Sequence, residues 1–252
     1  MNILLVNDDG FDSTFLAQLC MAAANRGHHV TVCAPHTQQS AKSHAFTISR
    51  PLYLHERSME GAAYACSVEG TPVDCARLGI MCLTSPKPDL VISGINYGYN
   101  TGLATFVSGT VGAAREAAFQ GVPAMAVSTE PYAPEETVQL LADWAVRLGE
   151  RLIRFDAPAQ SVCNVNAPPI APDSIRPAVM CGITRHIYRD SYVERLSPRG
   201  DRYYWLTPEV QDDTPTPGSD LDWLQKGHIT VTLLTPEGCR QEDYAALLEG
   251  MD

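Results

Sequence analysis

Short apolar runs alternate with longer amphipathic stretches through the first two thirds of this 252-residue chain. That alternation constrains the fold more than any other feature. Asn2 to Val6, His28 to Ala34, Pro88 to Ser93, Ala124 to Ser128 and Val162 to Asn166 read as short strands. Phe11 to Arg26, Val73 to Leu83, Thr110 to Gln120 and Glu135 to Arg154 read as the helices between them, with Asp12 or Ser13 near the start of the first and Pro72 opening the second. Strands alternating with helices predict an α/β fold with a doubly wound, mostly parallel sheet.

Other stretches fit around this frame. His36 to His44 is a polar loop, and Thr47 to Leu54 and Ala63 to Val68 read as shorter extended segments joined by a turn near Gly61. After about Pro168 the character changes. Tyr188, Tyr192, Arg195, Tyr203, Tyr204 and Trp205 fall at strand-like spacing, followed by the acidic, Pro-rich Gln211 to Asp222. His228 to Leu234 then reads as a strand and Gln241 to Glu249 as a short helix. We divide the chain into a core over 1–182 and extended hairpins and an arm over 183–252 that returns to the core.

Composition excludes several functional classes. The net charge of −11, without a long basic cluster, argues against a nucleic-acid polymer or an anionic membrane as partner. No apolar run has the length of a membrane span, and Asn-Asp-Asp-Gly follows the first apolar stretch at once, unlike a signal peptide. The eight cysteines, at 20, 33, 66, 75, 82, 163, 181 and 239, form no Cys-x-x-Cys pair and sit mostly among apolar neighbours. Free core thiols in a reducing cytoplasm are the expected state.

The chemistry concentrates at the expected strand ends. In an open parallel sheet, ligands lie beyond the carboxyl ends of the strands. Asp8 and Asp9 follow the first strand, Ser40 the second, and Asn96 the Pro88 to Ser93 strand. Adjacent carboxylates repel unless a cation neutralises them, and an all-oxygen set of two carboxylates, a hydroxyl and an amide suits Mg²⁺ or Mn²⁺ better than Zn²⁺. Ser108-Gly109-Thr110 opens a helix whose N–H groups could hold a phosphate beside that metal. Taken singly, the acidic pair could only complement a helix dipole, Ser40 could be solvated and Ser108 could only cap its helix.

Four further motifs carry a resemblance. Asn-Asp-Asp-Gly at 7–10, Gly-Thr-Pro-Val-Asp-Cys at 70–75, Pro-Asp-Leu-Val-Ile-Ser-Gly-Ile-Asn at 88–96 and Ser-Gly-Thr-Val-Gly-Ala-Ala at 108–114 resemble the SurE family of metal-dependent 5′/3′-nucleotidases. The likeness continues through Asn164 to Pro168, Thr184-Arg185, Pro198 to Gly200, Tyr203 to Leu206 and Ser219-Asp220. The resemblance implies a Rossmann-like core, a C-terminal arm exchanged between subunits, and homodimers or homotetramers. It implies Asp8, Asp9, Ser40 and Asn96 as ligands of one divalent metal, with Asp8, Asp9 and Asn96 catalytic. Gly94, Ser108, Gly109 and Thr110 would bind phosphate.

The chain departs from the family pattern at several positions. Ala41 and His44 stand where the family usually has Gly and Asn, and Leu103, Ala104 and Val107 where it often has two acidic residues and Tyr. These positions border the phosphate and nucleoside pockets. His44 reads as a solvated loop histidine, with an acquired acid/base group as the alternative.

The function expected is metal-dependent hydrolysis of nucleoside monophosphates. The alternatives are a non-catalytic or weakly active nucleotide-binding relative, or a phosphatase of another small phosphomonoester. A signalling receiver domain would need a phospho-accepting Asp after strand three and a Lys after strand five, and neither is visible in order. A haloacid-dehalogenase-type phosphatase would need an Asp where Phe11 stands.

Overall fold

The computed structural model describes residues 1–155, 157–185, 190–208 and 215–236. The chain begins with β1 (Asn2–Val6), α1 (Thr14–Asn25) and β2 (His29–Pro35), then β3 (Leu54–Arg57), β4 (Tyr64–Val68) and α2 (Pro72–Leu78). β5 (Leu90–Tyr97), α3 (Ala104–Val107), α4 (Gly109–Phe119), β6 (Ala124–Thr129), α5 (Glu135–Leu152) and β7 (Val162–Asn166) follow. The last described elements are β8 (Arg176–Met180), β9 (Asp190–Leu196), β10 (Arg202–Pro208), α6 (Asp220–Gln225) and β11 (His228–Leu234).

One sheet runs β3-β4-β2-β1-β5-β6-β7-β11-β8. It is parallel throughout except where β3 meets β4 and β11 meets β7. Both faces are covered, so the central strands carry apolar residues at most positions, with no alternation of apolar and polar faces. Ile3 and Leu5 pack with Val30, Val32, Leu90 and Ile92 on the face where α1 meets α5. Leu4 and Val6 join Cys33, Val91 and Val111 on the opposite face, where α2 meets α4. The doubly wound α/β expectation holds. Among the described residues no helix is long and apolar enough to cross a membrane. The seven described cysteines are free.

Several boundaries differ from expectation, each for a local reason. Thr47 to Leu54 is not a strand. Thr47 instead gives its N–H and hydroxyl to the Asp74 carboxylate at 2.8 and 2.7 Å, and strand pairing starts only at Leu54. The helix from Val73 stops at Leu78 and continues as a wider turn over Gly79–Leu83. Gly79 lies so close to Leu4 that a Cβ would sit 2.6 Å from its Cδ2. The strand expected to end at Ser93 runs on to Tyr97, with a register shift against β6 between Ser93 and Asn96. Gly94 permits this: its φ is 138°, and a Cβ there would meet the Val127 carbonyl oxygen at 2.3 Å.

The loop between β5 and α4 contains α3, so it is not structureless. β8 and α6 were not anticipated: β8 is a mostly exposed edge strand containing Pro177, and α6 has only six residues. Tyr188, Gln211 to Thr214 and the helix expected over Gln241 to Glu249 lie outside the described residues.

Candidate active site at the switch point of the sheet

From β1 the sheet grows one way through β2 and the other way through β5. A crevice opens at such a reversal, beyond the carboxyl ends of the two strands. Asp8 and Asp9 follow β1 directly. Asn7 Nδ2 donates to the Gly10 carbonyl at 2.8 Å, and Phe11 N–H donates to the Pro35 carbonyl at 2.8 Å, so the turn is fixed on both sides. Ser13, one of the two expected caps, accepts from Leu16 N–H and starts α1.

Asp8 is 4% exposed and accepts the Thr110 hydroxyl on Oδ1 at 2.6 Å. Burial pushes its carboxyl up, against the pull of that hydroxyl and of the Thr110 and Gly109 backbone N–H groups. Gly109 is needed here, since a Cβ would stand 3.0 Å from both Asp8 Cβ and Oδ2. Asp9 accepts the Tyr97 N–H on Oδ2 at 3.0 Å. Its carboxyl is pushed up to about 7, first by burial and then by the Asp8 charge, while Tyr97 N–H and the Gln38 side chain act in the opposite sense. Among the described residues neither carboxylate has an ion-pair partner.

Two backbone bonds place the neutral residues of the expected metal set. Tyr97 N–H on Asp9 puts Asn96 one residue before the contact, opposite Ser128 across the sheet. Asn96 Nδ2 donates to the Gly98 carbonyl at 2.7 Å, and its Oδ1 takes no hydrogen bond among the described residues. Gln39 N–H donates to the Asp8 carbonyl at 2.7 Å, which puts Ser40 one residue beyond, with its side chain exposed.

The expected phosphate set is more committed to the protein. Ser108 Oγ accepts from Val111 N–H at 3.1 Å and caps α4, Thr110 holds Asp8, and Gly94 is buried inside β5. Asp8 therefore occupies the start of α4 as its anion. His44 is half-buried and not the solvated loop histidine expected. Its Nε2 lies 2.9 Å from Glu116 Oε2, and its ring stacks on Phe119 with centroids 5.4 Å apart. A polar loop gives no hint of a buried glutamate arriving from 72 residues away.

Sequence reasoning missed the residues that hold the far side of the crevice. Asn100 N–H donates to Asn166 Oδ1 at 2.8 Å, its Nδ2 donates to Ser128 Oγ at 2.9 Å, and its carbonyl takes Asn164 and Asn166 Nδ2. The buried Asp220 carboxylate takes the N–H groups of Gly102 and Thr184, each at 2.8 Å. Two asparagines at alternate positions of a buried strand were the available signal for the first network. The residues of the second, Thr184 and Asp220, were marked only as part of the family likeness, with no role given to them.

No three His, Cys, Asp or Glu side chains cluster in metal-holding geometry among the described residues. The chemistry here is instead a buried and a half-buried carboxylate, without an ion-pair partner among the described residues, with neutral oxygen donors on adjoining loops. That donor set fits a hard divalent cation. The fold and the site thus define an α/β protein with an oxygen-rich, acidic site at its switch point.

The model of the family described as Survival protein SurE matches residues 3–190, and the chain belongs to that family. It is 43% identical to the 5′-nucleotidase SurE of Solidesulfovibrio magneticus over 236 residues, 93% of this chain and 91% of that protein. It is 40% identical to the 5′-nucleotidase SurE of Maridesulfovibrio salexigens over 247 residues, 98% of each. The crystal structure of the SurE protein from Aquifex aeolicus superimposes with a TM-score of 0.81 at 28% identity, covering 100% of this chain and 99% of that one.

A raised carboxyl pKa in the folded state means that the folded protein binds the proton more tightly than the unfolded chain. For Asp9 the metal-free fold therefore loses stability as pH rises from about 4 to about 7. In chelator at about pH 8, Asp9→Asn should melt above the parent, by about 2–4 °C for each kcal/mol relieved, and the gap should close at about pH 4. Calorimetry at the two pH values checks this, and equal melting points at both would show that Asp9 carries no such penalty.

Proposed function

We propose that this protein hydrolyses nucleoside 5′-monophosphates, and 3′-monophosphates, to nucleoside and inorganic phosphate, using one Mg²⁺ or Mn²⁺ held by Asp8, Asp9, Ser40 and Asn96. The observation that carries the reading is the Asp8–Asp9 pair at the switch point, Asp8 buried and Asp9 half-buried, without a cationic partner among the described residues. Its membership of a family whose relatives bear the name 5′-nucleotidase supports the substrate class. A divalent cation bound there would polarise a phosphoryl oxygen and lower the pKa of a bound water.

The protein's own groups supply the rest. Thr110 and the α4 amides fix the Asp8 carboxylate, and Tyr97 N–H and the Gln38 side chain fix the Asp9 carboxylate, which would orient a water. Ser108, Gly109 and Thr110, with Gly94 on the adjoining strand, stand beside the pair and would meet the phosphate. Asn96 Oδ1, without a hydrogen-bond partner among the described residues, adds a neutral donor that does not repel an anion.

One feature favours a second reading of the substrate. α3 ends beside Ser108, and around it Leu103, Phe106 and Val107 are exposed. An apolar rim there suits a phosphomonoester with an apolar or aromatic group, so base preference belongs to the test. Phosphate release from a panel of nucleoside monophosphates and simple phosphomonoesters should appear with Mn²⁺ or Mg²⁺, be weaker with Zn²⁺ and vanish in EDTA. Full turnover after exhaustive chelation would refute the metal mechanism, and metal binding without phosphate release would favour the non-catalytic alternative.

We further propose a division into a catalytic core over 1–182 and an oligomerisation arm over 183–252, working in the cytoplasm as a homodimer or homotetramer. Among the described residues β9 and β10 pair only with each other, and they expose Tyr192, Tyr203, Tyr204, Trp205 and Leu206. A lone two-stranded hairpin is marginal in water, and aromatic residues with Arg favour interfaces. Within the arm, β11 returns to the main sheet beside β7. Sedimentation should give a mass at least twice 27.4 kDa. A stable, active monomer at micromolar concentration would refute the arm assignment.

A further inference from the structure

The loop between β2 and β3 carries Ser40 through strained backbone. Ala41 and Ser43 both lie in the left-handed region, at φ 58° and 52°. Each costs of order 1 kcal/mol or more in a residue with a Cβ. Such backbone persists only where its surroundings over-determine it, and the tethers here are identifiable.

On the near side, Gln39 N–H holds the Asp8 carbonyl at 2.7 Å. On the far side, Ser43 N–H donates to the Val107 carbonyl at 3.0 Å and Ser43 Oγ to the Phe106 carbonyl at 2.7 Å. The Ser43 carbonyl then crosses α4 at Gly112, where a Cβ would stand 2.1 Å away. His44 completes the tether on Glu116, whose side chain is only 5% exposed. Glu116 is itself fixed by Arg77 at 2.8 Å from α2 and by Gln120 at 2.8 Å. Thr71 Oγ1 donates to the Ala45 carbonyl at 2.7 Å just beyond.

Ser43 and His44 thus fasten the Ser40 loop to α3 and α4, while α4 begins at Ser108 and holds Asp8 through Thr110. We infer that His44 and Ser43 are positioning residues that hold Ser40 in place for the metal beside Asp8 and Asp9, with Glu116 as the anchor. The inference rests on the reading of Ser40 as a metal ligand. It gives His44 a role that neither a solvated nor an acid/base histidine has: its ring acts through the loop and touches no reacting atom. Partners behind a ligand commonly change metal affinity by 10–100-fold when removed.

The test is direct Mn²⁺ binding, read as loss of the free-ion electron paramagnetic resonance signal at a pH where the parent binds. His44→Ala should weaken Mn²⁺ binding about tenfold while its melting temperature in chelator stays close to the parent value, and His44→Gln, which can still donate to Glu116, should restore most of the affinity. Ser43→Ala, which removes the tether to Phe106, should weaken binding in the same sense. The double variant should lose less than the product of the two single losses, because both act through one loop.

Parent-like affinity in both single variants would overturn the inference, as would a His44→Ala loss that His44→Gln does not recover. Asp9→Asn serves as the reference. If the parent binds no Mn²⁺, or binds it equally well without Asp9, the metal reading fails. If Asp9→Asn abolishes binding and the loop variants do not weaken it, only the positioning role fails.

Discussion

A carboxylate buried as deeply as Asp8 is tolerated only if its surroundings replace the water it has lost, and the arrangement of β1, β5 and α4 follows from that requirement. Removing a carboxylate from water costs several kcal/mol even after relaxation. Thr110 Oγ1, the Gly109 and Thr110 amides and the positive end of α4 offset this for Asp8. Asp9 has less: one N–H from Tyr97, a Gln38 side chain, and the adverse charge of its neighbour. The described residues therefore leave the pair under-neutralised. A divalent cation is the partner proposed for such a pair.

The glycines and the polar networks serve this same constraint. Gly109 lets α4 approach Asp8, and Gly94 lets β5 continue past Val127 so that Asn96 and Tyr97 arrive beside Asp9. Behind the crevice, the Asn100, Asn164 and Asn166 network and the buried Asp220 hold the loop that leads into α3. Buried polar groups that are bonded on several sides rigidify what they join. Here they join the end of β5, the end of β7 and the approach to α6, so residues far apart in sequence fix one edge of the sheet.

The alternation of apolar runs and amphipathic stretches was enough to read the parallel centre of the main sheet, because a strand covered on both faces has few polar positions to obscure it. Asp8 and Asp9 could be placed at a strand end for the same reason. What could not be read depends on contacts remote in sequence. Thr47 is taken by Asp74, so the expected strand gives way to a docked loop; His44 is taken by Glu116, so a polar-loop histidine becomes a tether. β5 overran its expected end because the register shift at Gly94 keeps Asn96 and Tyr97 paired with β6. α6 was hidden by its length and by the Pro215 to Gly218 stretch before it, and β8 by its exposure at the sheet edge.

The central claim is that Asp8, Asp9, Ser40 and Asn96 surround one cation. Crystals soaked in MnCl₂ and measured for anomalous scattering would locate it without reference to activity. A single strong Mn²⁺ peak within coordination distance of oxygens from these four residues, about 2.0–2.4 Å, is the expected result. No peak at the switch point under conditions where the protein binds Mn²⁺ in solution, or a principal peak elsewhere on the molecule, would contradict it.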